Sequence, residues 1–216
     1  TKKLEGTLKV VTTGDAYQPL FDKFTEEVGP KVEFISMSSG EVLSKLKAEG
    51  GTPAADLWFG GGIDAFMDAK DNDLLEKVDF DAADELAPEF KDSDNYWFSK
   101  GVTVVGFIVN NDILKEKGLE APKSWDDLTK EEYQGEVLMS NPAISGTNYA
   151  VVNALLQTKG EEGGWKYFED LNKNVDYYSK RGSDPSTKTA AGEVGIGITY
   201  IDGTLDELKE QADVEV

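Results

Sequence analysis

The sequence predicts an α/β fold of two lobes, with mainly parallel sheets and helices on both faces. Three observations predict it. Short β-branched runs alternate with segments of helical periodicity, the rhythm of strand-helix-strand units. Gly- and Pro-containing breaks fall between the runs, as at Gly14-Asp15, Gly29-Pro30 and Gly50-Gly51. One long segment, Tyr96 to Asn110, interrupts the rhythm, which then resumes. That segment reads as an extended crossover, giving a first lobe over 1–103 and a second over 104–216.

Leu8 to Thr13 is a strand by its β-branched content. Leu20, Phe21, Phe24 and Val28 recur at helical spacing. Val32, Phe34 and Ile35 form a second strand, and Ser38 with Glu41 forms a capping box opening a helix through Val42, Leu43 and Leu46. Asp56 to Phe59 is a third strand, then Gly60-Gly61-Gly62 leads into another helix. Past the crossover, helices follow Asn111-Asp112 and open at Pro122 to Leu128. Glu136 to Met139 is a strand, and helices run from Gly146 to Thr158 and Glu161 to Leu171, with Trp165 and Phe168 packing into the core. Val194 to Tyr200 is a strand, a helix starts at Gly203, and Val214 begins a last strand.

Composition narrows the function. Acidic residues outnumber basic ones 42 to 22, a net charge of −20, so no basic face is expected for phosphate backbones and nucleic acid is not a partner. No apolar run reaches the length of a membrane span. The chain opens on the polar lead-in Thr1 to Gly6, so a signal segment, if one exists, has been removed. Cysteine and histidine are both absent. That removes thiolate chemistry, cysteine-ligated metals and the commonest general base, and argues against an enzyme.

Ligands of open α/β sheets sit beyond the carboxyl ends of strands, where helix N-termini offer free N–H groups and partial positive charge. Four loops carry fitting residues: Thr12 to Asp15, Ser38-Ser39-Gly40, Gly60-Gly61-Gly62, and Asn141 to Tyr149. Each also has an ordinary reading as helix cap or turn. The glycine run is not a P-loop, because no Lys-Ser or Lys-Thr follows it. Lys180-Arg181-Gly182-Ser183 offers cations and a hydroxyl, and Tyr200 with Asp202 ends a strand where hydroxyls, amines or a hard metal are read. The Tyr177-Tyr178 pair reads as packing between helices.

Ser39-Gly40 with Leu43, Lys47-Ala48-Glu49, and Ala55 to Gly61 resemble the extracellular solute-binding proteins of the ferric-iron type group. So do Pro122 to Leu128, Asn141-Pro142-Ala143 with Ser145-Gly146-Thr147, and Gly192 to Gly197, in the same order. That group also contains sugar-phosphate and phosphonate binders. The resemblance implies a two-lobed type II periplasmic-binding-protein fold. Its hinge closes on a ligand destined for an ABC permease, outside the cytoplasm, free in the periplasm or anchored as a lipoprotein. It implies ligand contacts from Thr13, Ser39, Gly61, Gly62, Ser145, Gly146, Thr147, Ser183 and Tyr200; Gly40 at a helix start and Asp202 at a strand end join them by position, and no cofactor is expected. Thr199-Tyr200-Ile201 offers one tyrosine where ferric binders use a pair. The expected ligand is therefore a small phosphorylated or phosphonate-like anion. Ferric iron on Tyr200 and Asp202 is the alternative, and an α/β enzyme acting on phosphorylated substrates the more distant one. The group's members also return to the first lobe after the second. An incomplete first lobe would leave apolar surface to be covered by dimerisation.

Overall fold

A computed structural model describes residues 3–216. Thr1 and Lys2, the start of the polar lead-in, lie outside the described residues. The chain divides into two compact units, the first ending at Val102 and the second running from Thr103 to Val216.

The first unit is built on a three-stranded sheet of order β2-β1-β3, with all pairs parallel. Its strands are β1 (Thr7–Thr12), β2 (Lys31–Ser36) and β3 (Leu57–Phe59). Val10 and Val11 are successive residues of β1 and both are buried, so helices cover both faces of the central strand. Val10 lies opposite Phe34, whose ring meets Phe21 of α1 (Gln18–Val28) at 5.1 Å. Val11 lies opposite Trp58, which stacks on Phe66 of α3 (Ile63–Asp71) and joins Val42 and Leu46 of α2 (Ser39–Glu49) in a small core.

The capping box at α2 is present. The Ser38 hydroxyl accepts from the Glu41 N–H, and the Glu41 carboxylate accepts from the Ser38 N–H at 3.0 Å. Ser38→Ala is expected to cost about 1 kcal/mol of first-unit stability, read as a lower urea midpoint at unchanged slope.

Between α3 and the second unit the chain makes two 3-10 turns, Asp81–Glu85 and Pro88–Phe90. Lys70 on α3 ties this segment down through Asp92 at 2.7 Å and Asp94 at 2.8 Å. Tyr96 to Asn110, expected as an extended crossover, is not extended throughout. Phe98 bridges back to Lys91 in a tight antiparallel turn, with Asn95 at φ 66°, and only Val104–Asn110 forms a strand, β4. The turn uses the residues the crossover reading had laid out straight.

The second unit holds a five-stranded sheet of order β6-β5-β7-β4-β8. β5 (Val137–Ser140), β6 (Tyr178–Ser179) and β7 (Ile196–Ile201) are parallel. β4 runs antiparallel to both β7 and β8 (Val214–Glu215). The expected mainly parallel character therefore holds for the first sheet, while the second is mixed. Strand-helix alternation cannot specify the direction of the strand that enters a unit. Ile196 and Ile198 of β7 pack with Leu128, Tyr133, Val137, Met139, Val151, Leu155 and Leu171 in the main core. Around the sheet lie α4 (Asn111–Glu116), α5 (Gly146–Asn172), α6 (Asp184–Ala190) and α7 (Thr204–Gln211). α5 is two helices across a break at Gly160, whose φ of 74° and ψ of 164° are not helical.

Three local expectations are corrected. Pro122 to Leu128 does not open an α-helix. The Asp127 carboxylate accepts from the Lys123 N–H at 2.8 Å, and this local loop leaves only a 3-10 turn at Asp126–Thr129. Trp165 is 49% exposed; Phe168, edge-on to Tyr167, is the member of that pair against the core. Tyr178 lies in edge strand β6 rather than between helices, and both Tyr177 and Tyr178 are exposed.

Candidate functional site

Each unit gathers its own set of strand-end residues. In the first unit, Thr13 leaves β1 with its N–H donated to the Phe59 carbonyl at 3.3 Å, which holds the ends of β1 and β3 together. Gly60 and Gly61 follow β3 with φ of 89° and 122°, a conformation other residues rarely adopt. They are also crowded. A Cβ at Gly61 would stand 2.8 Å from Ser39 Oγ and 3.2 Å from Thr13 Cγ2. A Cβ at Gly60 would stand 2.7 Å from Thr13 Oγ1, 3.5 Å from Lys100 Cε and 3.6 Å from the Tyr17 hydroxyl oxygen. Ser39 is 4% exposed, and its hydroxyl accepts from the Gly62 N–H at 3.0 Å. Thr13, Ser39, Gly61 and Gly62 therefore meet. Gly40, one residue into α2, has its carbonyl taken by the Ser44 hydroxyl at 2.8 Å.

Two members of this cluster were not found from the sequence. Tyr17 and Lys100 stand at Gly60, and the Lys100 ammonium lies 4.9 Å from the Tyr17 ring centre and 5.7 Å from that of Phe59. Tyr17 precedes α1, two residues beyond the loop singled out at Thr12 to Asp15. Lys100 comes from the segment read as a plain crossover, and nothing in its local sequence marks it.

In the second unit the loop after β5 is shaped by Asn141. Its side-chain oxygen accepts from the Ala143 N–H at 2.9 Å, and its carbonyl accepts from the Ser145 N–H at 2.8 Å. This turn delivers Ser145 as the N-cap of α5. The Ser145 hydroxyl, 2% exposed, takes the Asn148 N–H at 3.4 Å. The first-turn N–H groups of a helix have no intrahelical partner, so those of Gly146 and Thr147 are left for an outside acceptor. Asn148 is fully buried and donates from Nδ2 to the Ser140 hydroxyl, while its Oδ1 has no partner among the described residues. The turn before α6 closes over the same point. A Cβ at Gly182 would stand 2.5 Å from Thr147 Oγ1 and 3.3 Å from Ser145 Oγ. Thr199 of β7 holds that turn by donating its hydroxyl to the Gly182 carbonyl at 3.3 Å. Ser183 follows directly as the N-cap of α6 without a side-chain cap bond, and the Asp184 carboxylate fixes the turn from the Arg181 N–H at 2.7 Å.

Ser145, Gly146, Thr147 and the Gly182-Ser183 turn thus come together. Tyr200, opposite Val105 in the β7–β4 register, is on the face of β7 that carries Ile196 and Ile198, away from the Thr199 face. Asp202 works locally: its Oδ1 accepts from the N–H and hydroxyl of Thr204, at 3.0 and 2.5 Å, at the start of α7. The Tyr178 hydroxyl donates to Asn172 Oδ1 at 2.6 Å. No helix among the described residues is long and apolar enough to cross a membrane.

The profile of the family described as bacterial extracellular solute-binding protein matches residues 53–216. A protein of Haemophilus influenzae without an assigned function is 33% identical over 198 residues, covering 89% of this chain and 57% of its own length. The chain therefore spans little more than half of that relative. The structure of the periplasmic binding protein P5PA is 32% identical with a TM-score of 0.88, over 97% of this chain and 68% of that one. The structure of the periplasmic binding protein AfuA from Actinobacillus pleuropneumoniae, with exogenous fructose-6-phosphate bound, is 30% identical with the same TM-score of 0.88 and the same coverages, 97% and 68%.

Proposed function

The chain belongs to the bacterial extracellular solute-binding protein family, and on that premise we propose that it is part of the extracytoplasmic solute-binding component of an ABC importer, taking up a small phosphorylated or phosphonate-like anion. The observation that carries the ligand class is the start of α5. There the first-turn N–H groups of Gly146 and Thr147, which a helix leaves without an intrahelical partner, adjoin the Thr147 hydroxyl, which sits beside the Gly182 turn. Helix-start N–H groups hold an anion with little dependence on the net charge of the protein, which suits a chain of net charge −20. AfuA, similar at 30% identity, holds a sugar phosphate in its structure. Tyr200, near the end of β7 in the same unit, reads the part of the solute beyond its phosphoryl group. Catalysis is no part of this reading. The chain carries a solute without turning it over.

Calorimetric titration with phosphate esters in the presence of a strong chelator tests the proposal. Binding should persist with the metal removed. Thr147→Val keeps the side chain's shape and removes one donor to a charged group, so affinity should fall by about tenfold or more. Heat from ferric citrate alone, lost on adding chelator, with none from phosphate esters, would favour iron and overturn the reading.

A further inference from the structure

We propose that the second unit carries, on the segment of α5 behind Gly160, a pocket for the guanidinium group of an arginine side chain on a partner protein. The pocket involves none of the strand-end loop residues and does not depend on the identity of the solute. Trp165, Phe168, Glu169, Asn172 and Tyr178 line one open cavity of about 420 Å³. The first four recur at i, i+3, i+4 and i+7, so they form a single stripe along the helix. The Trp165 and Phe168 rings lie 6.4 Å apart, tilted by 59°. Tyr178 comes from edge strand β6, and its hydroxyl donates to Asn172 Oδ1 at 2.6 Å, which ties its ring to the helix.

Charge decides the occupant. Elsewhere in the chain lysines stand over aromatic rings: Lys70 over Tyr96, Lys100 over Tyr17, Lys159 over Tyr167. Among the described residues no lysine stands over Trp165, Phe168 or Tyr178, although an indole offers a cation the strongest ring face. Glu169 has no ion-pair partner among the described residues either. Lys166 feels its charge but is bonded to Asp170 instead, at 2.9 Å. Trp165, Glu169 and Tyr178 are all exposed. An unpaired carboxylate among exposed rings matches a flat cation. A guanidinium stacks on a ring by its face and donates to a carboxylate through its edge, whereas an ammonium has no flat face to stack. The cavity is open rather than enclosing, so it suits a side chain presented by a larger surface; a free solute there would stay largely in water. Arginine and tryptophan are also the residue types that most often dominate binding between proteins. The net charge of −20 favours approach by a basic surface.

The test titrates the full chain with N-acetyl-argininamide, whose ends are neutral, and with N-acetyl-citrullinamide, which has nearly the same shape and no charge. The readout is the indole N–H resonance of Trp165 in ¹⁵N-labelled protein, assigned from its loss in Trp165→Phe. It should shift saturably with the arginine compound, with a Kd on the order of 10 mM, and about tenfold or more weakly with the citrulline compound. Glu169→Gln should weaken arginine binding by about tenfold, as the loss of one charge-assisted contact does. Because Glu169 is exposed, the urea midpoint of that variant should match the parent's. Added salt should weaken the arginine response and leave the citrulline response as it was. If the citrulline compound shifts the resonance as strongly, or if Glu169→Gln binds arginine as the parent does, the cation pocket is overturned. If free arginine binds about tenfold or more tightly than the capped compound, its charged ends are read as well. The pocket then takes a free amino acid, and the partner-protein reading is overturned.

Discussion

Gly182→Ala is expected to weaken binding of phosphate esters by about a hundredfold, corresponding to the loss of roughly two charge-assisted hydrogen bonds. The added methyl would lie 2.5 Å from Thr147 Oγ1, 3.1 Å from Thr147 Cβ and 3.3 Å from Ser145 Oγ. Ser145 is buried and committed to capping α5, so it cannot give way. Relief comes from turning the Thr147 hydroxyl aside and moving the Gly182 turn off the helix start. Both changes act where the anion is proposed to sit. The turn is at the surface of the unit, so unfolding in urea should show a loss of only about 1–2 kcal/mol. A variant that binds phosphate esters as the parent does would place the anion elsewhere.

Gly197→Val is expected to destabilise the second unit by about 3 kcal/mol or more, at the upper end of what overpacking costs. Gly197 sits inside β7, between β5 and β4 in the sheet. A Cβ there would meet the Pro185 carbonyl oxygen and Thr189 Oγ1, each at 2.6 Å. The first obstacle is backbone, which no rotamer change removes. α6 would have to lift from the sheet, and its anchor would go with it, since the Asn110 side chain donates to the Thr189 carbonyl at 2.9 Å. Because α6 begins just after the Gly182 turn, solute binding should fall together with stability. Thermal unfolding and calorimetry on the same sample check the pair. A melting point close to the parent's would mean that α6 is free to shift, against the tight contact described here.

Much of the architecture was legible because it rests on local chemistry. Ser38 and Glu41 announce a capping box, and the structure contains it. Thr158 and Glu161 bracket a helix break, and Gly160 makes it. The loops at Thr13, Ser39, Gly61 and Ser145 to Thr147 were recognisable because glycines and hydroxyl residues sit between strand and helix. What escaped depends on distance along the chain. Lys100 reaches Gly60 from 97–100, a stretch whose residues carry no periodic signal. The antiparallel setting of β4 is a property of pairing, and the same alternation of Val, Phe and Ile fits either direction. Asp202 reads from the sequence either as a strand-end ligand or as a helix cap, and its Oδ1 takes the N–H of Thr204 two residues on. A carboxylate's first partner is often the nearest N–H group. Trp165 shares a helical face with the core-packed Phe168, but periodicity does not tell where a core ends.

The break at Gly160 has a mechanical meaning. An unbroken helix of 27 residues would act as a stiff lever, carrying a tilt at one end through its hydrogen-bond ladder to the other. With the ladder interrupted, the segment ahead of Gly160 is seated by its own buried residues, Val151 and Leu155, and the segment behind it by Tyr167 and Leu171. Each rod is pinned to the same core on its own account. A tilt of the segment behind Gly160, where Trp165 faces solvent, would be taken up at the joint rather than passed to the hydroxyl of Ser145.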